Sequence, residues 1–289
     1  MSFRLTAAWI EPQLAGRLPW ALVVLGLLLP LASPLRAAVV APGVKPVLTV
    51  ATYNVLYRNT NLNVLLEMVR GLDAGLVCLQ ETTPRIEQRL RADLATLYPH
   101  QVYQTAKGSG GFGVLSRWPL EDVRFLPAEN GMRGALLARV TPAGMKVSIE
   151  FANVHLRTPQ VAGLVSLPGI LAGFQKAGEI QDREIRRVHA AFQGMGPRLL
   201  MGDFNSFSFG PAQAFLKAQG WTDSLASVHE KPDEMPTWRD QRASMGMGFR
   251  IDYLFHTSQF RTISSQVISK GSSDHDPVVS QLQWVEPRP

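Results

Sequence analysis

The sequence has little of several features that would assign it to a specialised class of protein. It contains one cysteine in 289 residues, so no intramolecular disulfide can form. That residue, Cys78, stands in the apolar run Leu76–Leu79, and we expect a buried core thiol rather than a nucleophile. The sequence also lacks an internal repeat, a low-complexity tract and a long block of like charge. With 46% hydrophobic and 18% charged residues it can bury a sizeable core, which argues against a disordered protein.

The N-terminal region lacks an apolar run long enough for a comfortable transmembrane helix. The run Ala21–Leu31 falls short of the roughly 20 apolar residues that such a helix needs. Arg4 and Arg17 precede the run, and small residues and turn formers follow it, which is the order of a secretory signal. We therefore expect residues 1–37 to be a signal peptide and the protein to be exported, either periplasmic or secreted. An uncleaved N-terminal anchor that holds the protein at the membrane is the alternative.

The whole sequence carries a net charge of +6, which favours anionic partners such as phosphates, nucleic acid or acidic lipid surfaces. A soluble basic protein without such a partner would have the same charge.

The rest of the chain shows no sign of a second domain. Residues 38–46 contain proline and glycine and are predicted to be a linker, whereas 47–285 show no shift in composition. We expect one catalytic domain over 47–285, and a monomer.

Short apolar runs alternate with helical stretches over this domain, which predicts an α/β fold. The predicted strands are Val47–Tyr53, Leu76–Leu79, Phe112–Ser116, Ala135–Val140, Lys146–His155, Arg198–Met201, Arg250–His256 and Pro277–Trp284. The predicted helices are Leu62–Arg70, Pro84–Leu97, Glu179–Phe192 and Pro211–Gln219. Three strands without a helix between Phe112 and Leu156 indicate that part of the sheet is antiparallel.

Polar side chains collect where the predicted strands begin or end. These residues are Asn54, Glu81, His155, Asp203, Asn205, Asp252, Asp274 and His275. Strand ends are where the ligand sites of α/β sheets are built. Taken singly, each residue could be a helix cap, a turn former or a packed core residue. All eight would have to coincide for the whole set to be structural, so the set favours a functional site.

The residue types in this set match the chemistry of a phosphate ester. Magnesium and manganese prefer hard oxygen ligands, which suits Glu81, Asp203 and Asp274. A cation neutralises the phosphate charge that repels a nucleophile, and the amides of Asn54 and Asn205 can hold phosphate oxygens.

The two imidazoles add groups that can move a proton. Attacking water must lose a proton, and an imidazole with a pKa near about 6.5 is suited to accept it. The carboxylate of Asp252 could hold His275 in the useful tautomer, as carboxylates do in hydrolytic triads.

The motifs that contain these residues resemble a known signature. Gly202-Asp203-Phe204-Asn205 together with Ser273-Asp274-His275-Asp276-Pro277 resembles that of the endonuclease/exonuclease/phosphatase superfamily. Further motifs follow in the family order, and the resemblance extends from residue 47 to 284. They are Thr52–Asn54, Leu79–Glu81, Gly113–Arg117, Asn153–Leu156 and Arg250–Tyr253.

The resemblance implies a fold and a cofactor. The fold is a four-layer α/β/β/α sandwich of two mixed sheets flanked by helices, with the site at one end. The cofactor is Mg²⁺ or Mn²⁺, with Glu81 as principal ligand and Asn54 and Asp274 nearby. Asp203 would orient or activate water, and Asn205 would hold the phosphate.

The roles of the histidines follow less directly from the resemblance. His275, paired with Asp252, would be the general base or a phosphate stabiliser, and the choice of base between His275 and Asp203 stays open. His155 falls where nucleases of the deoxyribonuclease I type and sphingomyelinases have histidine, but the sequence shows no clear acidic partner for it.

The resemblance indicates an enzyme but does not identify its substrate, because the fold serves many substrates. We expect a divalent-metal-dependent phosphodiesterase that acts outside the cytoplasm on a phospholipid, a nucleic acid or a small phosphodiester. A secreted nuclease that cuts DNA or RNA is one alternative. A non-catalytic phosphate-binding or lipid-binding relative is another.

The apolar segment 161–174 follows His155 and contains no charged residue. Pro168 and three glycines argue against a regular helix in this segment. It could fold back and fill core. It could instead form an apolar flap near the cleft that contacts a membrane surface or an apolar part of the substrate.

Overall fold

In a computed structural model of the chain, the described residues are 45–161, 166–240, 248–269 and 271–285. The predicted leader, 1–37, and most of the predicted linker, 38–46, lie outside these residues. The described part of the chain contains no helix that is long and apolar enough to cross a membrane.

The described residues form four α-helices and two large sheets. The helices are α1 (Leu62–Gly71), α2 (Pro84–Leu94), α3 (Leu167–Ala191) and α4 (Pro211–Ala218). The first seven strands are β1 (Val47–Asn54), β2 (Leu76–Gln80), β3 (His100–Gln104), β4 (Phe112–Ser116), β5 (Leu120–Leu126), β6 (Ala135–Val140) and β7 (Ile149–His155). The others are β8 (Arg198–Asp203), β9 (Thr222–Asp223), β10 (Trp238–Arg239), β11 (Gly248–Phe249), β12 (Asp252–His256), β13 (Phe260–Val267) and β14 (Val278–Trp284).

Each large sheet has six strands and mixes parallel with antiparallel neighbours. The first has the order β13-β14-β1-β2-β4-β3, and the second has the order β5-β6-β7-β8-β12-β9. The pairs β1–β2 and β7–β8 are parallel. The pair β6–β7 is antiparallel, which confirms the prediction that part of the sheet is antiparallel, and the unpredicted strand β5 also pairs with β6 in this way. A short antiparallel ribbon of β10 and β11 lies outside both sheets.

Alternating side chains of the strands divide the core into three clusters. Ala51 and Tyr53 of β1 pack with α1 and α2, whereas Val50 of the same strand packs with the second sheet. A third cluster joins the other face of the second sheet to α3 and α4. The layers are therefore helices, sheet, sheet and helices, which confirms the predicted α/β/β/α sandwich. Cys78 is buried between the two sheets, as predicted.

The prediction that segment 161–174 contains no regular helix is wrong. Helix α3 begins at Leu167, with Ser166 as its N-cap accepting a hydrogen bond from Gly169 N at 3.3 Å. Pro168 suits the first turn, because the amide that it lacks would have no partner there. A Cβ on Gly173 would meet Val161 Cγ1 at 2.9 Å, so this glycine allows the chain before the helix to pack against it.

The alternative that this segment fills core is also wrong for its described residues. The side chains of Leu167, Leu171 and Phe174 are 68%, 59% and 39% exposed. Helix α3 becomes buried only from Ala177 onward, where it covers the second sheet.

The remaining differences from prediction concern the end of α2, which lies at Leu94 rather than Leu97 because residues 95–97 form a turn, and several strands. Strand β7 begins at Ile149 rather than Lys146, because the three residues before Ile149 are exposed and precede the pairing with β6. Strand β12 begins at Asp252 rather than Arg250, because its ladder with β8 starts at the pair of Asp252 and Asp203. Strands β3, β5, β9, β10, β11 and β13 had no predicted counterpart.

Gly202 allows the two parallel strands of the second sheet to approach closely beside the site. A Cβ at this position would lie 1.9 Å from the carbonyl oxygen of Val154, which no side chain could tolerate. The glycine of the Gly-Asp-Phe-Asn motif therefore has a structural role that places Asp203 beside the end of β7.

Candidate active site

Strand register places three of the predicted site residues in one row across the second sheet. His155 at the end of β7 is the ladder partner of Asp203 at the end of β8. Asp203 is in turn the partner of Asp252 at the start of β12. All three side chains are almost fully buried, so the sheet fixes their spacing.

His275, which precedes β14, reaches this row from the first sheet. Its Nδ1 atom lies 2.9 Å from Asp252 Oδ2, and its Nε2 atom lies 3.7 Å from Asp203 Oδ2. The carboxylate of Asp252 thus orients the imidazole so that Nε2 faces Asp203. The predicted pair of His275 and Asp252 is present in the structure.

Asn54 and Glu81 approach the same carboxylate from the ends of β1 and β2. Asn54 Nδ2 donates to Asp203 Oδ2 at 3.0 Å and lies 3.4 Å from Glu81 Oε1. Tyr57 N donates to Glu81 Oε2 at 2.9 Å. Glu81 has a φ of 63°, in the left-handed region that side chains other than glycine rarely adopt, so its placement costs backbone strain.

Asn205 and Asp274 complete the predicted set. Asn205 N donates to Asp203 Oδ1 at 2.8 Å, and its side-chain amide donates to the carbonyl of Leu156 at 3.1 Å. Asp274 Oδ2 accepts from Trp238 Nε1 at 3.2 Å. All eight predicted residues therefore lie in one connected region at one end of the sandwich.

Burial and neighbouring charges shift the pKa values of Asp203 and His275. The pKa of Asp203 is raised to about 7, first by burial and then by the carboxylate of Asp252. Burial opposes a charge on His275, but the carboxylates of Asp252 and Asp203 outweigh it and raise the pKa of His275 to about 10. Burial also raises the pKa of Glu81 above its ordinary value.

The structure supplies the acidic partner that the sequence did not reveal for His155. His155 Nε2 lies 3.4 Å from Asp203 Oδ2, and Arg133 Nη1 lies 3.3 Å from His155 Nδ1. Burial, followed by the positive charge of Arg133, holds the pKa of His155 well below its ordinary value. A neutral His155 can therefore donate one hydrogen bond and accept another at the back of the site.

Helix α3 supports the loops around the site through residues that sequence reasoning missed. The carboxylate of Glu184 accepts from Arg133 N at 2.5 Å and from Arg157 N at 2.8 Å. One turn earlier, Gln181 Nε2 donates to the carbonyls of Arg157 and Asn205 at 2.7 and 3.0 Å. Glu184 and Gln181 are buried polar residues three positions apart on one helix face, and that pattern was the available signal.

The cleft above these residues has a volume of about 420 Å³ and two different walls. The polar wall contains Glu81, His155, Asp203, Asn205, Asp274 and His275. The opposite wall is apolar and contains Val161, Phe174, Phe207, Trp238, Phe249 and Ile251. Phe207 and Phe249 were not predicted, and Trp238 was not assigned a role.

The carboxylates of the polar wall have the charge and chemistry expected at a cation site. Glu81, Asp203 and Asp274 line the cleft, and within the described residues none of them pairs with a lysine or arginine. Their hard oxygen donors fit Mg²⁺ or Mn²⁺. The Oδ1 atom of Asp252, buried beside them, has no hydrogen-bond partner among the described residues.

A purely geometric grouping suggests a different set of ligands from the predicted one. Asp203, Asp252 and His275 each place a potential ligand atom within 4.8 Å of the others. Nδ1 of His275 is already hydrogen-bonded to Asp252, however, so this trio is better suited to proton transfer. Among the described residues, neither Glu81 nor Asp274 is hydrogen-bonded to a histidine. These two residues remain the better candidates for metal ligands.

The fold and this site define a class of phosphoesterases, and comparison with known proteins identifies the family. Residues 51–275 match the model of the Endonuclease/Exonuclease/phosphatase family. The chain therefore belongs to this family, as its motifs predicted, and the family's members are phosphoesterases and nucleases. No curated protein matches the sequence.

Solved structures of similar proteins have the same fold. An endonuclease/exonuclease/phosphatase from Beutenbergia cavernae is 21% identical, with a TM-score of 0.64 over 83% of this chain and 72% of that chain. An AP endonuclease from Archaeoglobus fulgidus is 21% identical, with a TM-score of 0.62 over 81% and 98%. TDP2 from D. rerio, complexed with a single-strand DNA product, is 18% identical, with a TM-score of 0.63 over 82% and 98%. At these identities the likeness concerns the fold alone.

Proposed function

We propose that the protein is a divalent-metal-dependent hydrolase of phosphate esters, and that it acts on phosphodiesters outside the cytoplasm. The main support is the convergence of Glu81, Asp203, Asp274 and His275 on one cleft. Carboxylate oxygens suit a hard cation, and imidazole suits proton transfer to or from a phosphoryl group.

Asp203 is the better placed acceptor for the proton of the attacking water. Asp203 lines the cleft, and its Oδ2 atom lies 3.4 and 3.7 Å from the Nε2 atoms of His155 and His275. The water oxygen forms the new bond to phosphorus while its proton passes to Asp203. The ester P–O bond breaks, and the leaving oxygen keeps the electron pair and takes a proton from His275. Proton transfer from Asp203 to His275 then restores the starting state.

Glu81, Asn54 and Asp274 would hold the cation, Mg²⁺ or Mn²⁺. When bound, it supplies positive charge that neutralises the phosphate oxygens and the leaving oxygen. Asn205 lines the same cleft, and its amide can hold a phosphate oxygen. Asp252 keeps His275 oriented through the 2.9 Å hydrogen bond.

A nuclease is the second candidate function. It is supported by two neighbours of similar fold whose structures contain DNA products, TDP2 from D. rerio and a 3' phosphatase from Neisseria. The third possibility, a non-catalytic phosphate-binding or lipid-binding relative, would not need both a histidine–carboxylate pair and three further carboxylates in one cleft.

The proposal places the protein outside the cytoplasm because its N-terminal sequence has the pattern of a secretory signal. Export predicts a mature N-terminus near residue 38 in protein recovered from the periplasm or medium. An intact Met1 in a soluble cytoplasmic pool would refute it.

Hydrolysis of bis-p-nitrophenyl phosphate tests the proposed activity. We expect the full chain to release p-nitrophenol with Mg²⁺ or Mn²⁺, to lose that activity in excess EDTA, and to regain it when the metal is restored. Equal activity in EDTA would overturn the metal requirement. No hydrolysis with either metal would favour the non-catalytic alternative.

A further inference from the structure

The apolar wall of the cleft is a continuous set of contacting aromatic rings. Trp238 and Phe249 are stacked with ring centroids 6.0 Å apart and an interplanar angle of 6°. Phe249 contacts Phe207 edge to face at 5.3 Å, and Phe207 stacks with Phe174 at 6.0 Å. We call these four residues the aromatic wall. The indole nitrogen of Trp238 donates to Asp274, so the wall begins at the polar site itself.

The apolar surface continues from the aromatic wall to the outside of the molecule. Phe209, which stacks on Phe207 at 5.5 Å, is 82% exposed. On α3, Phe174 lies on the same helix face as Leu171 and Leu167, because these residues are three and four positions apart. From Leu167 to Phe174 the helix rises about 10 Å. Large apolar side chains exposed together in this way mark a contact surface for an apolar ligand.

The charge of the cleft argues against a polynucleotide as the ligand of this wall. Among its described lining residues there is no lysine or arginine. Nucleic-acid binding draws most of its affinity from cationic side chains that contact phosphates along the strand. Bases could stack on the rings of the wall without hydrogen bonds, so the lack of cationic side chains along the cleft is the observation that disfavours a polynucleotide.

We propose that the substrate is an amphiphilic phosphodiester of the phospholipid class, with its hydrocarbon chain along the aromatic wall and the exposed face of α3. The inference rests on the proposed phosphodiesterase activity and specifies its substrate. The phosphate lies at Asp203 and His275, and the chain leaves the cleft past Phe174 toward Leu171. Each methylene that leaves water against this wall adds to affinity.

Inhibition by methyl alkyl phosphates tests the chain site separately from the chemistry. Bis-p-nitrophenyl phosphate is the reporter substrate, and the methyl ethyl, methyl butyl and methyl octyl diesters are the inhibitors, each below its micelle concentration. We expect the inhibition constant to fall by up to about fourfold per added methylene, the change that corresponds to about 0.8 kcal/mol for a fully buried methylene.

Two variants test whether the dependence of the inhibition constant on chain length comes from the aromatic wall. Phe174→Asp should reduce the ratio of the ethyl to the octyl inhibition constant at least about tenfold, through loss of several methylene contacts. Met195→Asp is the matched control, because Met195 is 91% exposed and lies before the start of β8, whereas Asp203 is at the end of that strand. This variant should leave the ratio unchanged. If Phe174→Asp does not fold, Leu171→Asp at a 59% exposed position serves in its place.

The possible results separate the failure of this inference from failure of the activity. Hydrolysis of the reporter with no dependence of inhibition on chain length would overturn the lipid assignment alone. Stronger inhibition by thymidylyl-thymidine than by the methyl octyl diester would also overturn it and would indicate a base-stacking wall. Absence of hydrolysis of the reporter would refute the proposed function and this inference with it.

Discussion

The Nδ1 atom of His275 and the Oδ2 atom of Asp252 lie 2.9 Å apart, although Asp252 begins β12 of the second sheet and His275 precedes β14 of the first. The contact joins the two halves of the sandwich directly at the cleft. It also sets the direction of the imidazole, because Nδ1 is engaged and Nε2 faces Asp203.

Replacement of Asp252 by asparagine should impair catalysis without abolishing it. Asparagine can still hydrogen-bond to His275 but no longer stabilises the imidazolium. We expect kcat to fall by about 10²- to 10⁴-fold, the upper value being the loss that the same change causes in a hydrolytic triad. Steady-state kinetics on bis-p-nitrophenyl phosphate measures it, and a kcat equal to that of the wild type would show that the pairing has no catalytic role.

Glu81→Gln should weaken metal binding and slow the reaction. The substitution keeps the size of the side chain but removes a negative charge that we assign to the cation. We expect a rate loss of roughly two orders of magnitude or more at a fixed metal concentration, since metal electrostatics supply several kcal/mol. A metal titration of activity should require more Mg²⁺ to reach its plateau, and an unchanged titration curve would exclude Glu81 as a ligand.

Glu184→Gln should lower kcat through the loops that Glu184 supports. The glutamine amide can accept only one of the two backbone hydrogen bonds now made to Arg133 and Arg157. A displacement of these loops by about 1 Å could cost up to about 100-fold in rate.

The matched control for that variant is Glu150→Gln. Glu150 is also buried and also accepts two hydrogen bonds, from Arg124 and from Gln193 N, but it lies near the other end of β7. Both variants should lower the melting temperature, whereas only Glu184→Gln should lower kcat. Equal kcat losses in the two would mean that Glu184 has a general structural role.

His256 should make the folded protein less stable as the pH falls. Its side chain is buried and contacts the Thr257 carbonyl and the Thr262 hydroxyl at 3.0 and 2.8 Å, and burial lowers its pKa. The unfolded chain therefore takes up this proton first, and stability is lost as the pH falls below about 6.5 toward the folded pKa. Melting temperatures between pH 7 and pH 5 should fall less steeply for His256→Asn, and an identical slope would contradict the prediction.

The sequence predicted the parts of the fold that are buried on both faces. Strands β1, β2, β4, β7 and β8 are almost wholly buried and rich in apolar residues, and the polar residues at or just after their ends stand out against them. Asp203 and His155 could therefore be assigned to the site from local sequence together with the family motifs.

Edge strands and long-range contacts could not be predicted in the same way. Strands β5 and β13 mix apolar residues with charged or polar ones and expose about half of their residues, so neither forms a continuous apolar run. Arg133 and Glu184 act through partners 22 and 51 residues away in the chain, which only the folded structure brings together. The start of α3 was missed because its glycines and proline outweighed the helix signal, although Ser166 and Pro168 suit a helix start.

The rate of bis-p-nitrophenyl phosphate hydrolysis by Asp203→Asn, His275→Ala and the double variant tests the central claim most directly. If the two residues exchange one proton in one site, each single change should cost about 10²- to 10⁴-fold, and the double variant should lose little more than either one. Matched circular dichroism spectra would show that all three variants are folded. Near wild-type rates in either folded single variant would contradict the assignment of this cleft as the catalytic site.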